Sequence, residues 1–368
     1  MTTLLRRVRI VAVTRPASSA EPVDVRIENG QVTAAGDLSP EPGERVLAAD
    51  GRWLIPGLWD QHVHLRQWAQ ARLRLDLSGT TSPGEVIARV RDRLTDRPAV
   101  VVGAGFRPAT WSAQPTTAEL DAVTGAVPTI LISGDVHAGW LNSAAQRWLG
   151  VPARPGVLDE NAWFTLLPRL EELLATDVDQ AYRLALADAA SRGVVGIVDL
   201  EFEDGYRAWP ERFAAGIDAV RVRTGVYADG LEDVIAAGLR TGTPLDASGL
   251  LTMGPLKIIS DGSLNSRTAR CCEPYADGRY GTQNYPLDEL IRLLGRAHEA
   301  GLHTALHAIG DAALTTAVDA FEATGARGGI EHVQLARLEE FDRMARLGLR
   351  ASVQPAHLLD DRAVTAQV

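Results

Sequence analysis

From residue 193 onward the chain alternates short apolar runs with helical stretches, and this alternation limits its fold more than any other feature. The runs are GVVGIVDLE (193–201), VRVRTGVYAD (220–229), GPLKIISDGS (254–263), GLHTALHAIGD (301–311), GGIEHVQ (328–334) and LRASVQPAH (349–357). Between them, apolar residues at helical spacing predict helices at about 209–215, 230–240, 287–300, 312–324 and 337–347. Strands separated by helices form parallel βα units. The segment WLIPGLWDQHVHL (53–65) supplies one more strand ahead of the series. The expected fold is α/β, a (β/α)8 TIM-type barrel with seven legible strands and the last one lacking.

Residues 1–56 read as a small β-sandwich-like domain. Its strands are VRIVAV (8–13), VDVRIENGQV (23–32), with Asn29–Gly30 as a tight turn, and RVLAAD (45–50). The barrel domain then spans 57–368. Within it, residues at about 65–190 have the irregular pattern of an insertion, with Pro and Gly clustered at 79–84, 103–115 and 150–156. Helices are expected there at 84–95 and about 177–191, and strands at 100–106 and 129–135. Insertions between barrel strands commonly shape the substrate pocket.

Composition narrows the function. The formal net charge is −10, which argues against nucleic acid as a main partner, because phosphate binding needs a basic surface. No apolar run approaches the roughly 20 residues that span a bilayer. The start, MTTLLRRVRIVAV, lacks the pattern of a signal peptide. Cys271 and Cys272 are the only cysteines, and sequence neighbours rarely meet disulfide geometry. A cytoplasmic setting and a small-molecule substrate are expected. A barrel short of one strand exposes two edges, so a homo-oligomer is an expected state.

His62 and His64 stand two residues apart at the end of a strand, which points them the same way. Such a pair suits two ligands of one metal centre, or one buried and one exposed histidine. His307 and His332 fall at the ends of later strands, and Lys257 within the run 254–263. Strand ends converge on the C-terminal mouth of a barrel, where active sites sit. Lys257 is the single lysine among 37 Lys and Arg residues. Arginine never gives up its proton in a protein, whereas a lysine amine does and then acts as a nucleophile. Weaker candidates for substrate contact are His137, Asp261, Arg267, Gln354 and His357. Asp261 and Arg267 follow the strand that bears Lys257, and Gln354 and His357 end the last legible strand. Arg267 suits either a substrate carboxylate or a loop anchor, and His137 either the pocket or the surface. His298 fits a solvated helix face, and His303 begins its strand far from the mouth.

Together PGLWDQHVH, GPLKIISDGSLNSRTA, HAIGDAA, GGIEHVQ and SVQPAH resemble the amidohydrolase superfamily. The nearest likeness is to amidohydrolase family 3, the branch with the N-substituted formamide deformylases, and it runs in order from about residue 20 to the C-terminus. The resemblance implies a metal-dependent hydrolase of non-peptide carbon–nitrogen bonds, of amide or formamide type, that uses activated water. It implies that His62 and His64 hold one divalent ion, His307 and His332 a second, and that Lys257 bridges them as a carbamate. One or two ions per chain are expected, with zinc as the metal. A carbamate requires a neutral amine, which lysine alone offers.

In the branch, an Asp after strand eight serves as base and ligand. This chain has none, so no catalytic residue is assigned. Asp360 and Asp361 are poor substitutes, and Asn265 stands where the branch has Gly. The chain thus reads as C-terminally truncated relative to that branch. Two further readings are a non-catalytic relative that keeps part of the metal site, and a deaminase of the same superfamily that releases ammonia.

Overall fold

The structure, a computed structural model, describes residues 2–11, 21–108, 111–133, 138–159, 163, 166, 170, 178–264, 267–276, 278–355 and 357, apart from the side chains of Ala71 and Asp159. The chain divides into two compact units, Met1–Leu58 and Trp59–Val368.

The first unit holds β1 (Thr2–Ile10), β2 (Val23–Glu28), β3 (Gln31–Gly36), β4 (Arg45–Ala48) and β5 (Trp53–Leu54). The sheet order is β3-β2-β1-β4, with β5 also beside β1. Asn29 and Gly30 turn at φ 50° and 79° between the antiparallel partners Glu28 and Gln31. Positive φ at both central residues is the reason Asn-Gly suits such a hairpin. Among the described residues these strands make one sheet, not the two facing layers of the expected sandwich. β1 also starts earlier than the pattern predicts. A register shift between Leu5 and Val8 hides its alternation, with Arg7 at φ 58° donating its backbone N–H to Asp24 Oδ1 at 2.8 Å.

The second unit opens with β6 (Leu58–Val63) and α1 (Leu65–Leu73). There follow β7 (Leu75–Asp76), α2 (Pro83–Leu94), β8 (Val101–Phe106), α3 (Thr117–Thr124), β9 (Thr129–Ser133), β10 (Ala138–Leu141), α4 (Ser143–Leu149) and β11 (Leu158–Asp159). These strands form a sheet of their own, in the order β11-β10-β9-β8-β7. β7, β10 and β11 are too short to show a period, so the region read as irregular. Local chemistry fixes its helices. Thr116 and Glu119 form a reciprocal capping box at the start of α3, and Ser82 accepts from Glu85 N at the start of α2.

The barrel series then runs α5 (Val178–Ser191), β12 (Val194–Asp199), α6 (Gly205–Ala214), β13 (Arg221–Tyr227), α7 (Leu231–Ala236), β14 (Leu251–Ile259), α8 (Leu287–Glu299), β15 (Thr304–Ala308), α9 (Asp311–Thr324), β16 (Gly328–His332), α10 (Leu338–Leu347) and β17 (Arg350–Ser352). The sheet order β17-β16-β15-β14-β13-β12-β6 makes a nearly closed barrel, with parallel pairing from β12 to β17. Leu256, Ile258, Leu306 and Ile330 face outward, against Leu294, Leu314, Val318 and Phe321 of the helices. Each such side chain contributes about 1.5–3 kcal/mol by leaving water. Because side chains alternate, burying these residues outward turns Lys257, His307 and Glu331 into the barrel. No described helix is long and apolar enough to cross a membrane.

Two glycines test this packing. Gly310 lies between β15 and α9, where a Cβ would strike the backbone of Arg270, whereas a Cβ on Gly295 in α8 meets only Thr324 Cγ2 at 3.8 Å. Gly310→Ala is expected to cost about 1–3 kcal/mol in urea unfolding, and Gly295→Ala to gain about 0.5–1 kcal/mol.

Candidate metal centre

Imidazoles from three strands meet at one end of the barrel. His62 lies in β6 and His64 just beyond it, with ring centroids 5.4 Å apart. His332, the last residue of β16, lies 4.8 Å from His62 and 4.5 Å from the ring of His307 on β15. Lys257 projects from β14, which pairs it with Ala305 of β15, and it is 1% exposed. Its charge acts on His62, His64 and His332. The structure thus gathers all five candidate ligands at one mouth. A regular pleat would send Glu331 and His332 to opposite faces. His332 has φ 75° and Val333 φ 46°, a conformation that costs bulky residues about 1–3 kcal/mol and clusters at functional sites. It brings both side chains to the mouth.

The ring nitrogens divide into engaged and unpartnered atoms. His62 Nδ1 lies 2.7 Å from Glu331 Oε2, so Nδ1–H donates to the carboxylate and Nε2 keeps its lone pair. His307 Nε2 lies 3.1 Å from the Gly262 carbonyl, which only accepts, so Nδ1 keeps its lone pair. His64 Nδ1, His332 Nδ1 and Lys257 Nζ are buried without a hydrogen-bond partner. Each such atom costs about 1–3 kcal/mol. Imidazoles in this number, beside a buried amine, fit a divalent cation. No three His, Cys, Asp or Glu side chains among the described residues form such a site by themselves.

The charges follow from burial. Burial pushes His64 down to about 4 and His332 down to about 2, with the neighbouring basic groups adding to the shift. Burial also lowers His62, against its hydrogen bond to Glu331. Burial works against the Glu331 carboxylate, yet hydrogen bonds to His62 and Ser352 hold it below the usual range. The pair is therefore neutral imidazole and carboxylate, and a neutral imidazole is the form that binds metal. Burial brings Lys257 down to about 8, with Glu331 opposing.

The weaker candidates separate. Asp261 is fully buried. Its Oδ1 accepts from Ile309 N at 3.0 Å, and its Oδ2 from Gly310 N at 2.8 Å and Arg270 N at 2.9 Å. Oδ1 also lies 3.2 Å from His307 Nε2. The expectation of substrate contact is corrected here: this carboxylate ties two loops together beside His307. Arg267 is exposed in the following loop at φ 54°. Gln354 donates to the Ser352 carbonyl at 3.2 Å, and its Oε1 is buried without a partner. The His357 ring meets His332 edge-on at 5.3 Å. His137, Asn265, Asp360 and Asp361 lie outside the described residues.

Several neighbours escaped the sequence reading. Glu331 aligns His62. Asp199 accepts from Leu65 N at 3.2 Å and from Trp209 Nε1 at 2.8 Å, and Glu201 accepts from Gln67 N at 3.3 Å. These two carboxylates hold the first turn of α1, directly after His64. Their two-residue spacing in DLEFED was the available signal. Phe202, 62% exposed, stacks between His64 at 5.3 Å and Tyr227 at 5.0 Å.

Burial pushes the Asp199 carboxyl up from 3.8 to about 6. The folded form therefore holds this proton more tightly than the unfolded chain. The group favours folding most below about pH 4, and that advantage is lost as pH rises through about 6, a span worth about 3 kcal/mol at 1.36 kcal/mol per unit. Asp199→Asn removes this slope. The stability of the native protein relative to the variant should fall between pH 4 and pH 7, and a rise over that range would contradict the assignment.

Comparison with known proteins agrees with this geometry. The model of the amidohydrolase family matches residues 45–368. The chain is 27% identical to protein LONG AFTER FAR-RED 3 of Arabidopsis thaliana, over 91% of this chain and 65% of the relative. It is 26% identical to N-substituted formamide deformylase of Arthrobacter pascens, over 85% of this chain and 65% of the relative. The chain thus spans just under two thirds of the length of both. The crystal structure of an uncharacterized metal-dependent hydrolase from Pyrococcus furiosus superposes with a TM-score of 0.81 at 25% identity, covering 100% of this chain and 80% of that one. A nearly closed parallel barrel, with histidines and one buried lysine at its mouth, and a family match over most of the sequence lead to one conclusion: the chain belongs to the amidohydrolase family.

Proposed function

We propose that this protein is a divalent-metal-dependent hydrolase of carbon–nitrogen bonds outside peptides, with formamide-type N-acyl amines as its substrates. The buried, unpartnered nitrogens of His64, Lys257 and His332, beside His62 and His307, carry this assignment. The likeness to N-substituted formamide deformylase supports the substrate class. His62 and His64 would hold one ion, His307 and His332 a second, and Lys257 would bridge them as its carbamate. When bound, the metal acidifies a water and polarises the substrate carbonyl.

The chain's own residues prepare this centre. Glu331 fixes the His62 tautomer that offers Nε2, and the Gly262 carbonyl fixes the His307 tautomer that offers Nδ1. With Lys257 at about 8, about a tenth of its amine is neutral at pH 7, against roughly one part in three thousand for an ordinary lysine. The neutral nitrogen adds to CO2 and releases a proton, which turns a buried cation into an anionic oxygen donor. Imidazole and carboxylate-type sites accept several metals, and zinc is the proposed one.

Metal analysis and intact mass test the proposal together. The protein should carry at least about one divalent ion per chain, and Lys257→Arg should reduce this below about 0.2. A CO2 adduct should appear near neutral pH and be lost in acid. A panel of N-substituted formamides should release formate, and a chelator should stop the release. Full metal content in the arginine variant would refute the bridging role, and a metal-loaded protein inert toward the panel would refute the substrate class.

A further inference from the structure

The strands that bring groups to the mouth also carry basic residues at their opposite ends, on the same inner face. His303 lies four residues before His307, Arg327 four before Glu331 and Arg223 four before Tyr227, while Arg350 lies two before Ser352. Even spacing on a pleated strand keeps a common face. The flanking Val222, Leu302 and Ala326 pack among the outer apolar residues, which sets Arg223, His303 and Arg327 toward the opposite face. Thr304 pairs with Gly328, so His303 and Arg327 are cross-strand neighbours, about 4.8 Å apart in backbone position. Arg350 pairs with Gly329, about 7 Å further along the strand direction. The charges of Arg350, Arg327 and Arg223 all act on His303, which burial has already pushed down.

Three observations set this ring apart. Barrels fill their inner layers with branched apolar side chains, yet here all four basic residues are exposed at the N-terminal end. The layer above them is small, with Gly225, Ala305 and Gly329, and Trp59 occupies the space beside Gly196. The Arg223 guanidinium lies over the Trp59 ring at 4.4 Å, which holds it in place. Several arginines outside this ring find carboxylates, as Arg343 does with Asp319 and Arg212 with Glu203, while others do not. Among the described residues, Arg223, Arg327 and Arg350 form no ion pair. Three unpaired guanidiniums in one ring repel one another, in a chain whose net charge is −10.

We propose that the N-terminal end of the barrel is an anion site, in which Arg223, Arg327, Arg350 and His303 bind a small multivalent oxyanion of the phosphate class. The planar guanidinium fork matches the oxygens of such a group in pairs. The site lies at the opposite end of the strands from the candidate metal centre, and it does not depend on that centre. Binding there would add stability to the folded chain by mass action.

Calorimetry and thermal unfolding with inorganic phosphate, with a nucleoside monophosphate, and with sodium chloride at matched ionic strength provide the test. Protein stripped of metal with a chelator and shown to be metal-free serves as the background in which phosphate cannot report on a metal centre. Phosphate should raise the melting temperature there, chloride should not, and Arg223→Gln with Arg327→Gln should weaken phosphate binding by about tenfold or more. Preference for the nucleotide over free phosphate would place the group on an ester and still support the site. In the unsubstituted chain, the imidazole of His303 should titrate at higher pH when phosphate is present, because the anion offsets the three guanidiniums. An equal response to chloride, undiminished binding in the double variant, or an unmoved His303 titration would each overturn the proposal.

Discussion

The contact between His62 and Glu331 joins β6 to β16 across the inside of the barrel at 2.7 Å. β6 ends the sheet order on one side and β16 stands one strand in from the other, so this contact joins parts of the sheet that the strand pairing leaves far apart. A buried hydrogen bond to a charged acceptor contributes about 1.5–3 kcal/mol, and leaving either partner alone would cost its desolvation. The same bond sets which nitrogen His62 offers to the mouth. One interaction therefore links closure of the sheet to preparation of the centre, and neither can be altered without disturbing the other.

Around that contact the carboxylates act as fasteners. Asp261 ties the loop after β14 to the turn after β15, and Asp199 and Glu201 tie the end of β12 to the start of α1. Each replaces lost hydration with backbone N–H donors, which is how a buried acid is tolerated. Among the imidazoles, His62 and His307 each have one such partner, whereas His64 and His332 each leave a buried ring nitrogen without one. Their positions follow from strand geometry and from the strained turn at His332 and Val333. The centre thus has a well-bonded periphery and an interior of nitrogen atoms with unmet bonding capacity.

Much of the barrel was legible because βα alternation is a property of local sequence. The runs that begin at 193, 220, 254, 301, 328 and 349 each overlap an observed strand, although β14 starts earlier, at Leu251. The five ligand candidates were legible for a related reason, since residues at strand ends converge whatever the loops do. Of the second sheet, β8 and β9 were legible, but strands of two residues, such as β7 and β11, carry no measurable period. Asp261 was misread because its chemistry, a carboxylate near the mouth, does not reveal its burial. Glu331 was missed because His332 was read as facing the mouth, which on a regular pleat turns Glu331 away, and no pattern of apolar spacing encodes the backbone turn that admits both.

The sequestered position of Lys257 has a practical consequence. Every other fixed positive side chain is a guanidinium, so reagents and isotopic labels selective for side-chain amines have a single internal address. A lysine-specific label would give one side-chain resonance, reporting directly from the heart of the barrel without any need for assignment.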